Sequence, residues 1–419
     1  MRRCSLLFLI AAAVLGLASA AESRRPPRDA PPSNSPAKEG ISSAQIIALA
    51  EKVADYQLAQ LASGFIEPKA AGLTGSASSE DRKGWVHGAL FIGLMALADR
   101  SDKPHFKQAV LLRGEANKWR LGDRPYHADD HIFAQTYFWA ARHGVGERAW
   151  AATREQFDWI LANPSGGTLD ARTPGNPDKE YNCHNRWCWA DSIFMAPAAW
   201  LELSKVTGDP KYANFAKREF FETFSYLWDS EEQLFYRDSR YFGRRDSAGN
   251  KIFWSRGNGW VMAGLAHMIP LLAADDPDRS RLIDIFRQMA TRIKAIQKRD
   301  GYWAPSLLGD PNTALPEASG TAFYTFALAW GVNQGILSRA DYHPTIRNGW
   351  EALVRSVHPS GKLGWVQAIS DRPDAVAFDD TQYYGAGAFV LAAVQVEQMG
   401  LTPTIDTRAR LYRQTDQRR

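Results

Sequence analysis

Several short stretches of this 419-residue sequence carry side chains able to do chemistry. The densest is residues 181–200, YNCHNRWCWADSIFMAPAAW. There His184, Arg186, Trp187 and Trp189 crowd one carboxylate, Asp191, immediately before an apolar, helix-forming run. An acid in that place has two readings. It can cap the helix, because a carboxylate accepts hydrogen bonds from the free N–H groups and suits the positive end of the helix dipole. Or, with its proton retained by desolvation beside aromatic rings, it can act as a general acid on a sugar. HADDH, residues 127–131, sets Asp129 and Asp130 between His127 and His131, which stand at i, i+4. That spacing resembles the zinc motif HExxH, but the Glu is absent and no third ligand is evident, so no metal is expected. Two readings remain: solvated acids at a helix start, and catalysis or substrate hydrogen bonding by Asp129, Asp130 and His127.

Four further clusters have similar character. WSRGNGW, residues 254–260, brings Arg256 and Trp260 together around two glycines. A guanidinium with an adjacent ring is a good receptor for a carboxylate-bearing sugar, and equally a structural arginine paired with loop carbonyls. PEASGT, residues 316–321, offers Ser319 and Thr321 as ligand hydroxyls, or Glu317 and Ser319 as a helix cap. GWVHG, residues 84–88, supplies Trp85 and His87, and DDTQYYG, residues 379–385, supplies Tyr384. The candidate substrate-binding set is therefore Trp85, His87, His127, His184, Trp189, Arg256, Trp260, Ser319, Thr321 and Tyr384, around Asp191, Asp129 and Asp130.

The elements that must position these groups are helices. From Ser42 onward, apolar residues recur at three and four in about twelve stretches, starting near Ser43, Trp85, Pro104, Asp129, Glu147, Trp189, Pro210, Asn258, Asp278, Glu317, Asp341 and Tyr383. They alternate in kind. Every second one, such as GALFIGLMALA, GWVMAGLAHM and YYGAGAFVLAA, is apolar nearly all round and so must be buried, whereas its partners have one face for water. Six buried helices alternating with six half-exposed ones predict two concentric rings of paired helices, an all-α toroid, with an open superhelix as competitor. The chemical clusters sit mostly at the starts of the buried helices. If those helices run the same way, the clusters meet at one end. Strand signals are sparse, chiefly at residues 233–241 and 363–368, and read as hairpins in connections rather than a sheet.

The remaining features bound the setting. Residues 1–20 have a basic start, an apolar run and a small-residue site, Ala18-Ser19-Ala20, which reads as an export signal too short for a permanent span. Its two arginines take the formal charge from +4 to +2, which implies neither nucleic acid nor an anionic membrane as partner. Residues 21–41, rich in Pro, Ser and charge, read as a disordered linker, residues 42–400 as the helical domain, and 401–419 as a charged tail. Cys183 and Cys188 bracket the focal motif as a small disulfide loop or as two unpaired thiols.

Taken in order, WADSIFMAP, FWSRGNGWV, DGYW at residues 300–303, PEASGTAF followed by GVNQGIL, and YYGAGAFVLAA resemble the motifs of the unsaturated rhamnogalacturonyl hydrolases, relatives of the unsaturated glucuronyl hydrolases. The resemblance spans roughly residues 45–399. It implies an (α/α)6 barrel, no cofactor, and action on the 4,5-unsaturated uronic acid that lyases leave at the non-reducing end of pectic and similar chains. It also implies that Asp191 is the general acid and base and that a second aspartate comes from HADDH, with Asp129 favoured over Asp130. The protein is expected to be an exported monomer. Three other readings stay open: an inverting glycosidase on saturated chains, a lyase with a His or Tyr base, and a non-catalytic glycan-binding protein.

Overall fold

A helix that is apolar on every side has to be covered on every side, and in this protein the covering is mutual. The computed structural model describes residues 42–69, 80–180 and 183–401. The expected signal (1–20), linker (21–41) and, Leu401 apart, charged tail (401–419) lie outside the described residues. The helices are α1 (Ser43–Ser63), α2 (Trp85–Ala98), α3 (Pro104–Ala116), α4 (Phe133–Ala140), α5 (Ala151–Ala162), α6 (Ser192–Met195), α7 (Pro197–Thr207), α8 (Pro210–Leu227), α9 (Ser255–Met268), α10 (Pro277–Ala295), α11 (Ala318–Asn333), α12 (Arg339–Ser356) and α13 (Tyr383–Gln398).

The apolar helices form a closed ring. α2 packs on α4, α4 on α7, α6 and α7 on α9, α9 on α11, α11 on α13, and α13 returns to α2. That last contact excludes the open superhelix. The amphipathic helices lie outside, α1 on α13, α3 on α2, α8 on α7, α10 on α9 and α12 on α11. α5 reaches inward through Phe157, stacked on Trp200 of α7 at 3.8 Å. The architecture is thus an (α/α)6 barrel. On α8 the inward face is Tyr212, Ala216, Phe220, Thr223 and Leu227, at the three-and-four spacing that predicted it. Each fully buried Leu, Ile or Phe contributes about 1.5–3 kcal/mol.

Three expectations about local structure need correction. The sixth stretch is not one helix. Pro197 has no N–H to give the preceding turn, and the run divides into α6 and α7 on either side of Ala196. Asp129 does not open α4 but stands on a 3-10 turn, Ala128–His131, ahead of it. Of the two strand segments, 233–241 contributes only β4 (Leu234–Phe235), paired antiparallel with β3 (Trp228–Asp229), while 363–368 forms no strand beyond a bridge between Val357 and Leu363. The carbonyls of Gln367 and Ala368 are taken by side chains described below, and that of Trp365 by the Ala318 N–H. A hairpin of β1 (Arg172–Thr173) and β2 (Asn176–Glu180), just ahead of the focal motif, was not anticipated.

The inner ring closes because α2 and α13 touch backbone to backbone. A Cβ on Gly387 would stand 2.2 Å from the Ala89 carbonyl oxygen, and one on Gly93 would stand 2.6 Å from the Gly387 carbonyl oxygen. Gly387→Ala is therefore expected to lower unfolding free energy by about 1–3 kcal/mol despite its better helix propensity. A denaturant melt showing equal or higher stability would mean that the two helices have room between them.

Candidate active site

The inner helices all begin at one end of the barrel, as contacts between their first residues show. Trp85 at the start of α2 lies 4.9 Å from Tyr384 at the start of α13 and 5.9 Å from Trp260 of α9. Arg256 of α9 reaches Ser319 of α11, and His127, ahead of α4, packs 5.0 Å from Trp189, ahead of α6.

The Trp187–Asp191 segment is fastened from several directions. Cys183 and Cys188 form a disulfide, closing a small loop that contains His184. Thr223 of α8 donates to the Trp187 carbonyl at 2.5 Å, and the Ala190 N–H donates to the Arg237 carbonyl at 2.8 Å. Asp191 occupies the N-cap position of α6, yet its side chain makes no capping hydrogen bond. Among the described residues Oδ2 accepts no hydrogen bond at all, and the nearest cation is Arg237 Nε at 3.5 Å. Burial raises the Asp191 carboxyl above the ordinary range against the opposing charges of Arg237 and Arg256. Asp129 faces the same space. Burial, opposed by Arg124 but reinforced by the charges of Asp130 and Asp191, pushes it up to about 8. The rings of His127, His184 and Trp189 form a cluster beside these acids, with centroids 4.8–5.0 Å apart. The site thus brings together Asp129, Asp191, His127, His184 and Trp189, whereas Trp85 packs on Trp260 and Tyr384.

Other expected ligand groups lie beneath this layer. Arg256 is wholly buried between Trp254 and Tyr384, and its two terminal nitrogens donate to the Gln367 and Ala368 carbonyls at 2.9 Å. It is the structural arginine of the two readings, and it acts on Asp191 through its field. Tyr384 donates to the Gln367 carbonyl at 2.5 Å. Ser319 donates to Glu317 Oε1 at 2.5 Å, and Glu317 also accepts from the Ser319 and Gly320 N–H groups, so PEASGT is a cap. Thr321 donates to the Glu317 carbonyl and accepts from the Trp303 N–H. Trp260 is enclosed by Trp85, Phe194 and Phe323, and His87 is buried against Tyr383. The reason is common to most of them: hydroxyls, acids and donors at helix starts first satisfy orphan backbone groups or neighbouring carbonyls.

Asp130 points away from Asp191. It accepts from the Arg124 N–H at 2.8 Å and from the Arg124 guanidinium, holding the 122–124 loop, where a Cβ on Gly122 would strike its carboxyl. His131 is also turned inward. It takes a hydrogen bond from Trp200 Nε1 at 3.3 Å, lies 2.7 Å from the Pro125 carbonyl, and is pushed down to about 4 by burial. Among the described residues no group of three or more His, Cys, Asp or Glu side chains is placed to hold a metal ion. A cavity of about 780 Å3 lies against Arg113, Arg124 and Asp130 between α1, α2 and α3, and does not reach Asp191.

One participant was missed. Arg237 follows the β3–β4 hairpin in the stretch YRDSR, an alternation of charge within an aromatic segment that gave the available signal.

Similarities to known proteins agree with this geometry. Residues 49–400 match Glycosyl Hydrolase Family 88. The chain is 40% identical over 353 residues, 83% of its length and 84% of the other's, to an unsaturated 3S-rhamnoglycuronyl hydrolase from Alteromonas sp. (strain LOR). Among solved structures, a glycosyl hydrolase family 88 protein from Bacteroides vulgatus superposes with TM-score 0.72 at 25% identity, covering 86% of this chain and all of that one. A protein described as a polysaccharide lyase superposes with TM-score 0.71 at 28% identity, covering 85% and 97%.

The two neighbouring acids should separate in stability measurements. Asp129 in the native state keeps its proton to about pH 8, whereas the unfolded chain releases it near 3.8, so the native protein loses stability as pH rises from 4 to 8 and levels off above. Asp129→Asn removes that loss, and its melting temperature should climb relative to the parent across that interval. Asp130→Asn should instead destabilise, by about 1.5–3 kcal/mol for each charged hydrogen bond lost. The reverse order of the two variants would contradict the assignment.

Proposed function

The chain belongs to Glycosyl Hydrolase Family 88 and is a glycoside hydrolase, and from that premise we propose that it releases a 4,5-unsaturated uronic acid from the non-reducing end of lyase-generated oligosaccharides. The observation that carries this reading is the pair Asp129 and Asp191, two carboxyls withdrawn from water at one cluster of helix starts, neither of them capping a helix. A protonated carboxyl in an apolar setting is what the electron-rich C4 of an enol ether requires.

In the proposed reaction Asp191 gives its proton to C4 while water adds at C5, losing a proton to the carboxylate so formed. The resulting hemiketal at C5 opens to a ketone, and the hemiacetal left at C1 expels the rest of the chain with its glycosidic oxygen. One water is consumed and no covalent bond to the protein forms. Asp129, protonated near neutral pH, donates to a ring hydroxyl or orients the water. The substrate's own carboxylate adds negative charge near both acids and strengthens their hold on a proton. Trp189, His184 and His127 form a ring cluster beside the acids, where aromatic faces suit a sugar ring.

The name of the Alteromonas relative supports rhamnose on the leaving side rather than the galacturonan of pectin. The signal-like residues 1–20 support export to the periplasm or medium, and no helix among the described residues is long and apolar enough to cross a membrane. A monomer is proposed. The likeness to a protein described as a lyase favours one competing reading, and the ultraviolet signal of the conjugated double bond has the opposite sign for it.

With a lyase-generated oligosaccharide, absorbance is expected to fall on adding the protein, and the saturated oligosaccharide should be inert. Asp191→Asn, folded and at least as stable as the parent at neutral pH, should lose at least about 10³-fold in turnover, because an amide is no acid toward carbon. Rising absorbance would establish the lyase, cleavage of saturated chains the inverting glycosidase, and binding without turnover the glycan-binding protein. A folded Asp191→Asn that keeps most of its activity would remove Asp191 from the reaction.

A further inference from the structure

Asp191 has a cation beside it but no hydrogen bond from that cation, and the reason lies one residue beyond Arg237. Arg237 Nε stands 3.5 Å from Asp191 Oδ2, past the 2.7–3.2 Å of an N–H···O bond. The same guanidinium donates from Nη1 to Asp238 Oδ2 at 2.7 Å. Asp238 is fully buried and fixed in turn, since Arg240 donates to it from Nε at 2.9 Å, from Nη2 at 2.8 Å and from its N–H at 2.9 Å. Arg240 also reaches Asp371 at 3.0 Å, in the loop whose carbonyls hold Arg256. The backbone of Arg237 is tied down as well, through its carbonyl to the Ala190 N–H.

We propose that Asp238, which touches no reacting atom, is a positioning residue that holds the Arg237 guanidinium off Asp191, leaving the Asp191 carboxyl able to give and take a proton. The inference rests on the reading of Asp191 as the acid. A guanidinium closed onto a carboxylate in a bidentate pair locks it in the ionised form and lowers its pKa by about 1–3 units. Held at 3.5 Å, Arg237 supplies its field without the donated hydrogen bonds, so the carboxyl is steadied yet still exchanges its proton. Burial holds the Asp191 carboxyl up, and Arg237 pulls against it. Among the described residues, the charged and titratable groups around Asp191 are Asp129 and His127 from the turn before α4, His184 from the disulfide loop, Arg256 from α9, and Arg237 and Asp238 after the hairpin.

The two removals should act in opposite directions on the pH profile of kcat/KM. Asp191 must be protonated to attack C4, so activity falls as pH rises through its pKa. Asp238→Asn releases Arg237 toward Asp191 and removes a neighbouring negative charge, which should move that alkaline limb about one pH unit lower, with roughly tenfold less activity above it. Arg237→Gln removes the cation and should move the limb about one unit higher. Should Asp238→Asn not fold, the double variant Asp238→Asn/Arg240→Gln, which frees Arg237 without leaving the Arg240 guanidinium facing an amide, is expected to shift the limb in the same direction as Asp238→Asn. Shifts of the same sign for the two sites, or unshifted profiles beside lower kcat, would reduce the ladder to a structural role. Asp191→Asn separates this failure from that of the parent reading: if it is inactive while the profiles stay put, only the positioning inference falls.

Discussion

A carboxyl group taken out of water costs free energy when one of its oxygens lacks a donor, and among the described residues none bonds to Oδ2 of Asp191. Trp187 and Ala190 are tied to α8 and to the β3–β4 exit, a disulfide closes the loop before them, and α6 begins directly after. The natural relief for such an acid is to accept the backbone N–H groups of the helix it precedes, and it does not take that relief. The cost is offset by the packing of the two rings of helices and remains at the one place where a proton of adjustable affinity is useful.

What surrounds Asp191 divides into a working layer and a floor. Trp189, His184, His127 and Asp129 belong to the first. Arg256, Tyr384, Ser319, Thr321 and Trp260 belong to the second, where each donor has a carbonyl, a carboxylate or a ring to meet. A buried guanidinium met by two carbonyls and two aromatic faces keeps the 365–372 loop against the barrel and sends a positive field upward to the acid. Charge at the floor thus tunes the layer above it without touching a ligand.

The barrel was legible because helices such as α11 and α13 are apolar on every side, which only a surrounding ring of neighbours satisfies. The convergence of the helix starts followed from the same alternation. The depth of each side chain did not. WSRGNGW and PEASGT have the composition of a ligand site, and nothing in local spacing tells a guanidinium that meets a sugar from one that meets the carbonyls of residues 367 and 368, more than a hundred positions away. Arg237 escaped notice for the converse reason, since its importance comes from the 3.5 Å gap to Asp191, which the fold sets and the stretch YRDSR does not. The break at Pro197 was visible as a residue type, but the unbroken apolar run around it outweighed the missing N–H.

The central claim is that chemistry occurs at C4 and C5 of an unsaturated sugar, with the proton delivered by one carboxyl from one side. Turnover in deuterium oxide, followed by proton NMR through the first turnovers, tests this most directly. The account predicts a single deuteron at C4 on one face only, appearing together with loss of the vinyl signal while the leaving sugar is released. Release of an intact unsaturated monosaccharide that only later takes up deuterium, on both faces, would contradict it and return the reaction to the anomeric carbon.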